Sequence, residues 1–312
     1  MSRDTKSGIS ILRNRTKPVA HALAFISVLL LAANFVVVRN IHDQYPLTIL
    51  SLWRWGGSAL LLLPFIWSDL RHDWPIVRRN WKFFVISGML MPILGSLTSY
   101  LAMELTVAVN GGIIQSMIPA IVVLLAWAVG LERVKFFQIM GLGVATLGVL
   151  YIVTQGDVAV LRSLDVNLGD LFLVIGACSL AGYTVYYKRL AEKPRPLVLV
   201  AVICGIGALY HLPFVFYEFW QGTPMPFTTA TTLSIVFVAI FPSLLTVMFL
   251  NYGIEKLGPG TATAYHYFMP VVTAGLAFLF LNEAIAWFHL IGTAMILAGV
   301  YLTVHRNQTQ RA

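Results

Sequence analysis

Apolar runs long enough to cross a bilayer recur throughout this chain, and the polar breaks between them are too short to fold on their own. About 20 helical residues span a hydrocarbon core. Ten runs fit that length: Val19–Val38, Leu47–Trp67, Phe83–Met103, Ala108–Gly130, Phe136–Thr154, Leu168–Tyr187, Leu197–Tyr217, Thr232–Tyr252, Thr261–Leu281 and Ala286–Val304. In lipid such runs have one economical solution, a bundle of helices, because each helix satisfies its own backbone hydrogen bonds. The expected fold class is an all-α integral membrane protein with ten transmembrane helices. Composition agrees, since 58% of the 312 residues are apolar and 11% charged, with a mean hydropathy of +0.81; soluble domains carry about 25% charged residues.

The charged residues orient the bundle. The net charge of +8 comes from 21 Lys and Arg against 13 Asp and Glu. The bases sit in short runs between apolar segments, which fits membrane topology rather than nucleic-acid binding. With the N-terminus inside, eighteen of the 21 fall on the inner side, Arg39 and Arg162 fall outside, and Arg54 lies within a span. Both termini are therefore expected to be cytoplasmic. Arg13, Arg15 and Lys17 precede an apolar run, as in a signal peptide, but that run has the length of a retained helix. Cys178 and Cys204 both lie in apolar segments, so neither a disulfide framework, a metal site nor a cofactor site is expected.

The chain also repeats itself. Pro119 and Pro270, Ala126 and Ala277, Glu132 and Glu283, Gly141 and Gly292, and Gly148-Val149 and Gly299-Val300 all pair at one offset, 151. More weakly, "NFVVVR" near the end of the first run matches "YTVYYK" near the end of the sixth. The expected organisation is a tail (1–18), a first five-helix repeat (19–154), an outer linker (155–167), a second repeat (168–304) and a tail (305–312). An odd number of spans inserts the second copy from the opposite side, a construction that recurs in secondary transporters.

A proline inside a helix removes a donor and frees the carbonyl four residues earlier. For Pro119 that residue is Gln115 and for Pro270 it is His266, themselves mates at the same offset. Irregular polar backbone at membrane depth belongs where it faces protein or a wet cavity, so Gln115 and His266 are expected to line a cavity between the repeats. The alternative, prolines that only kink the helices for packing, stays open.

The segments "IPAIVVLLAWAVGLERVKFFQIMGLGVATLGVLYIV" and "MPVVTAGLAFLFLNEAIAWFHLIGTAMILAGVYLTV" carry a proline, a Glu 13 residues later, and a Gly-rich span. With the ten runs, this pattern resembles the drug/metabolite transporter superfamily, in its EamA-type branch. The resemblance covers almost the whole chain. It implies two inverted five-helix repeats and a central substrate cavity bounded by the first, third, fourth, sixth, eighth and ninth helices. It leaves the substrate open, since the family moves amino acids, metabolites and drugs.

Glu132 and Glu283 match the family's acidic turn, where a carboxylate suits a helix N-terminus. Glycines 141, 148, 292 and 299 recur at a spacing that lets helices pack closely. Arg54, buried in a span, is a functional candidate by default; it either pairs with Glu104 or receives a substrate carboxylate. Further cavity candidates are Asn34, Tyr100, Asn110, Tyr183, Asn251 and Tyr265, with Tyr186 and Tyr267 in the same cluster. Tyr187 and Tyr217 read as interfacial anchors, and His211 as a packing residue. No carboxylate lies deep in the first or fourth run, which disfavours a polycationic drug, and His266 is the cavity group able to change charge near neutral pH.

The expected function is export of small metabolites such as amino acids across the bacterial cytoplasmic membrane by alternating access. Uptake of a carbohydrate or organophosphate is the alternative. An integral-membrane enzyme is the reading from another class, with no catalytic residues to support it: paired acids, a zinc-binding histidine pair and a Gly-x-Ser-x-Gly turn are all missing from the sequence. The expected partners are a small-molecule substrate and the lipid bilayer, with a homodimer left open.

Overall fold

The structure, a computed structural model, describes residues 3–131, 136–154, 156–157, 168–224, 226–282 and 286–305. These residues are overwhelmingly helical, with no strand among them. Eight helices are long and apolar enough to cross a membrane. They are α1 (Arg3–Ile41, apolar from Lys17), α2 (Leu47–Arg79), α3 (Trp81–Leu105), α4 (Ala108–Ala128), α6 (Leu168–Arg189), α7 (Pro196–Trp220), α8 (Thr229–Leu257) and α9 (Pro259–Leu281). The fifth and tenth expected spans are the helices α5 (Phe136–Val153) and α10 (Trp287–His305), of 18 and 19 residues. Their described apolar stretches, Phe136–Gly148 and Leu290–Gly299, are shorter than a full crossing. Glu132 and Glu283 lie outside the described residues, as does most of the 155–167 linker.

Burial is arranged as lipid requires. Phe65, Trp220, Leu279 and Phe280 face outward, whereas Ser51, Ser58, Thr184, His211 and Thr273 are fully enclosed. Water would reverse that arrangement. Hydrocarbon does not, because a hydroxyl in lipid needs a protein partner. His211 is satisfied on both sides: its Nδ1–H donates to the Gly207 carbonyl (2.7 Å) and its Nε2 accepts from Ser51 Oγ (2.8 Å). It ties α7 to α2, the packing role expected for it. Cys178 is exposed on the lipid-facing surface and Cys204 is buried, both as free thiols.

Helix α2 runs well past the expected end at Trp67. Its 33 residues reach about 50 Å at 1.5 Å per residue, more than a hydrocarbon core needs. The extension is polar and is anchored to the α6–α7 connection. Asp69 pairs with Arg195, Asp73 Oδ2 accepts from the Arg195 backbone N–H (2.7 Å), and Arg79 faces Glu192 (3.5 Å). Lys193 continues the network to Glu255 on α8 at 2.6 Å.

Four of the helices are irregular at their prolines. In α3, residues Met89–Leu97 form a π-helical stretch around Pro92; in α8, Ala239–Leu245 do the same around Pro242. Proline supplies no N–H, and a wider turn lets the chain continue without the ring striking the preceding carbonyl. Helix α4 breaks at Ser116–Met117, where Ser116 N–H reaches the Ile113 carbonyl and Met117 N–H the Ile114 carbonyl, both at 3.0 Å. Helix α9 passes through a 3₁₀ stretch, Ala264–Phe268, before resuming at Met269.

These breaks correct the expected role of Pro119 and Pro270. Both stand in the first turn of the second half-helix, where the missing N–H has no intrahelical partner to lose and the fixed φ suits a helix start. The prolines begin a new helix; they do not kink an existing one. The His266 carbonyl is accordingly not left free, since it accepts from the Met269 N–H.

Helices α5 and α10 pack through their glycines. A Cβ on Gly148 would stand 2.7 Å from the Gly292 carbonyl oxygen, and one on Gly299 would strike the Gly141 carbonyl. The four residues are two pairs at offset 151. Each contact is thus the other with partners exchanged.

Candidate functional site

The centre of the bundle holds a small, partly open cavity of about 50 Å³. It is lined from α1, α2, α3, α4, α6, α8 and α9. The resemblance implied six of these seven; α2 is the addition, and it brings Arg54 and Trp55.

Gln115 and His266 both line this cavity, at 4% and 2% exposure. Each owes its place to a helix break. Gln115 ends the first half of α4, and His266 sits in the 3₁₀ stretch of α9. The Gln115 Oε1 is enclosed and has no hydrogen-bond donor among the described residues. His266 Nδ1–H donates to the Thr263 carbonyl (3.1 Å). A carbonyl only accepts, so this bond fixes the tautomer and leaves Nε2 as an acceptor.

Arg54 is 6% exposed and also lines the cavity. Its expected partner Glu104 is exposed and makes no ion pair with it, which corrects that expectation: the α3 residue that reaches Arg54 is Tyr100, one helical turn before Glu104. Arg54 instead donates through Nε to Ser243 Oγ (3.0 Å) and through Nη2 to the Pro242 carbonyl (3.2 Å). A longer contact joins Nη1 to the Tyr100 hydroxyl (3.4 Å), and the guanidinium lies 5.2 Å and 5.4 Å from the Trp55 and Tyr100 ring centroids. The π-helical turn of α8 presents that carbonyl and hydroxyl to α2. Among the described residues no carboxylate pairs with this cation.

Beside it, Trp55 is 1% exposed and its Nε1–H has no acceptor among the described residues. Sequence reading passed over Trp55, counting it as one more apolar residue in its span. An indole N–H next to an intramembrane arginine was the available signal.

The tyrosine–asparagine candidates separate. Tyr100 O–H donates to Asn34 Oδ1 (2.8 Å), clamping α3 to α1; Tyr183 O–H donates to Asn251 Oδ1 (2.9 Å), clamping α6 to α8. Of the four, Asn34 alone is among the cavity-lining residues. Tyr100 and Asn251 are mates at offset 151, and Asn34 and Tyr183 open the two weakly matching segments at offset 149, so the two bonds join corresponding segments with donor and acceptor exchanged.

Two other candidates lie away from the cavity. Asn110 donates to Thr106 Oγ1 (2.9 Å) and weakly to Asp170 Oδ1 (3.4 Å), joining the start of α4 to α6. The Tyr265 hydroxyl meets His21 Nδ1 on α1 (2.7 Å), and its ring stacks on Phe268. Tyr187 is buried in a packed cluster and stacks on Tyr183, so it is not an interfacial anchor; Tyr217 is exposed, as an anchor would be. Among the described residues no three His, Cys, Asp or Glu side chains gather as metal ligands.

The model of the EamA-like transporter family matches residues 19–154 and again 167–305. The chain belongs to the EamA-like transporter family. It is a multi-pass membrane transporter of the cytoplasmic membrane, and the doubled match falls on the two halves related by the 151 register. Similar proteins include the uncharacterized transporter YyaM of Bacillus subtilis, 24% identical over 86% of this chain and 88% of that one. An uncharacterized transporter of Archaeoglobus fulgidus is 23% identical over 92% and 98%. A protein of Streptantibioticus cattleyicolor named "Probable terminal-alkyne amino-acid exporter" is 27% identical over 62% of this chain and 63% of its own. One solved crystal structure superposes with a TM-score of 0.68 over 95% of this EamA-like chain and 99% of the other, at 16% identity, a likeness of fold alone.

Proposed function

We propose that this transporter exports small zwitterionic metabolites, amino acids foremost, by alternating access of two inverted five-helix halves. The observation that carries the reading is the central cavity at the junction of two broken helices, with polar groups in it that find no partner among the described residues. Secondary transporters place substrate at such discontinuous helices near the midplane, with half-helix N-termini turned toward anionic groups; here the second halves of α4 and α9 start at Ile118 and Met269.

The reciprocal glycine contacts of α5 and α10 and the exchanged Tyr–Asn bonds support two related halves. An odd number of spans per half inverts one against the other, and the basic loops then face the cytoplasm. The Streptantibioticus relative's name supports the amino-acid class and the outward direction. Arg54 is the sole Lys or Arg among the described lining residues, a weak match for a phosphate dianion and hence for organophosphate uptake.

Purified protein in liposomes should give saturable flux of a labelled neutral amino acid, well above protein-free vesicles. Flux equal to that of empty vesicles across all the neutral amino acids would remove this reading.

A further inference from the structure

The cavity asks for two different things at once. Among the described residues Arg54 is a buried cation with no anion, and beside it the Trp55 Nε1–H is a donor with no acceptor. The partners Arg54 does have, a serine hydroxyl, a backbone carbonyl, a phenol and two ring faces, are dipoles or quadrupoles without net charge. Arginine offers five N–H donors, and these bonds engage three of them. A full charge at membrane depth is costly until an opposite charge meets it.

Gln115 Oε1 and His266 Nε2 are the reverse case. The first is an enclosed acceptor with no donor, and the second is left as an acceptor by the bond its Nδ1–H makes to Thr263. Much of the remaining lining is apolar, including Leu31, Phe35, Met91, Leu180, Val247 and Leu250, beside the neutral polar side chains of Asn34, Ser96, Ser99 and Thr246.

We infer that the ligand binds in one fixed polarity, its carboxylate on Arg54 and the Trp55 indole, its ammonium on Gln115 and His266, and an apolar side chain against the aliphatic lining. Neutral amino acids of leucine, methionine or phenylalanine type meet all three requirements. A ligand lacking either charged end leaves one set of buried groups unpartnered, which is how a polar site rejects an analogue. The assignment rests on the transport reading above, and it adds which residues recognise which end.

Binding to the purified protein tests it, with L-leucine, L-leucinamide and 4-methylpentanoate as probes. Leucinamide keeps the ammonium and lacks the carboxylate; 4-methylpentanoate is the converse. The wild type should bind leucine at least tenfold more tightly than either analogue. Arg54→Met should lose leucine and 4-methylpentanoate affinity tenfold or more while leucinamide changes little. Gln115→Leu should weaken leucine and leucinamide and spare 4-methylpentanoate. Trp55→Phe, which keeps the charge and the ring, should weaken the two carboxylates severalfold and serves if Arg54→Met does not fold.

If the wild type moves leucine but these variants weaken all three probes alike, the assigned polarity is wrong and the transport reading stands. If the wild type neither binds nor moves any neutral amino acid, both fail together.

Discussion

Leucine in place of Gly299 should leave almost no folded transporter, and even alanine there should cost stability. A Cβ at this position would stand 2.6 Å from the Ala145 backbone nitrogen and 2.9 Å from the Ala145 Cβ, besides striking the Gly141 carbonyl. Two of those three atoms are backbone, so no rotamer change relieves the clash, and α5 and α10 must separate. Overpacking a tight core costs about 1–3 kcal/mol, occasionally more. For leucine the upper end applies, because lost helix contact has no hydrophobic compensation in lipid.

Gly148→Ala should cost about as much as Gly299→Ala, since Gly148 makes the same contact from the other side of the register. Gly143→Ala is the control. It lies on α5 with nothing within 4 Å of its would-be Cβ, so the change should be neutral or stabilise by up to ~1 kcal/mol through helix propensity. Melting midpoints in detergent, followed by gel filtration, separate these cases. Equal midpoints for alanine at 143, 148 and 299 would mean the glycines do not hold the two helices together.

Much of this fold was legible in the sequence because lipid imposes a length. Runs of about 20 apolar residues have few alternatives to a spanning helix, and eight of the expected runs are such helices. The ends were harder: α2 continues to Arg79 because its polar extension finds partners on Arg195 and Glu192, contacts that no local pattern reveals. The π-helical turns at Pro92 and Pro242 were missed for a related reason. A proline signals irregularity but not which irregularity follows, and these two are 150 apart, one residue off the register that exposed the others.

The cavity was partly legible, and partly through a mistaken mechanism. Gln115 and His266 were singled out as residues facing freed carbonyls; they line the cavity because the helices stop there, with Pro119 and Pro270 starting the next segment. The cluster of tyrosines and asparagines was not separable in advance. A polar side chain at membrane depth either faces a cavity or bonds a neighbouring helix, and helix rotation decides which. Arg54 and Glu104 failed for a different reason: Arg54 meets α3 at Tyr100, one helical turn short of Glu104 on the same face.

The two Tyr–Asn clamps turn that distinction into unequal expected losses. Tyr183→Phe removes the donor to Asn251, which is 5% exposed and off the cavity. Its Oδ1 is then orphaned in a dry core, at about 1–3 kcal/mol, tempered by the ~0.6 kcal/mol average for hydrogen bonds between membrane helices. The loss should appear as a lower melting midpoint, with transport by the remaining folded protein close to normal. Tyr100→Phe should behave oppositely. Asn34 lines the cavity, where water can replace the lost donor, so the midpoint should fall less. But Tyr100 also faces Arg54 with its hydroxyl at 3.4 Å, a contact too long to add much stability but one that helps to aim the guanidinium at the cavity. Transport per folded molecule should therefore drop about tenfold or more. Midpoint and flux measured on both variants decide it. Should Tyr183→Phe prove the more damaging to flux, the wet side of this bundle would lie between α6 and α8, and Arg54 would be a structural cation.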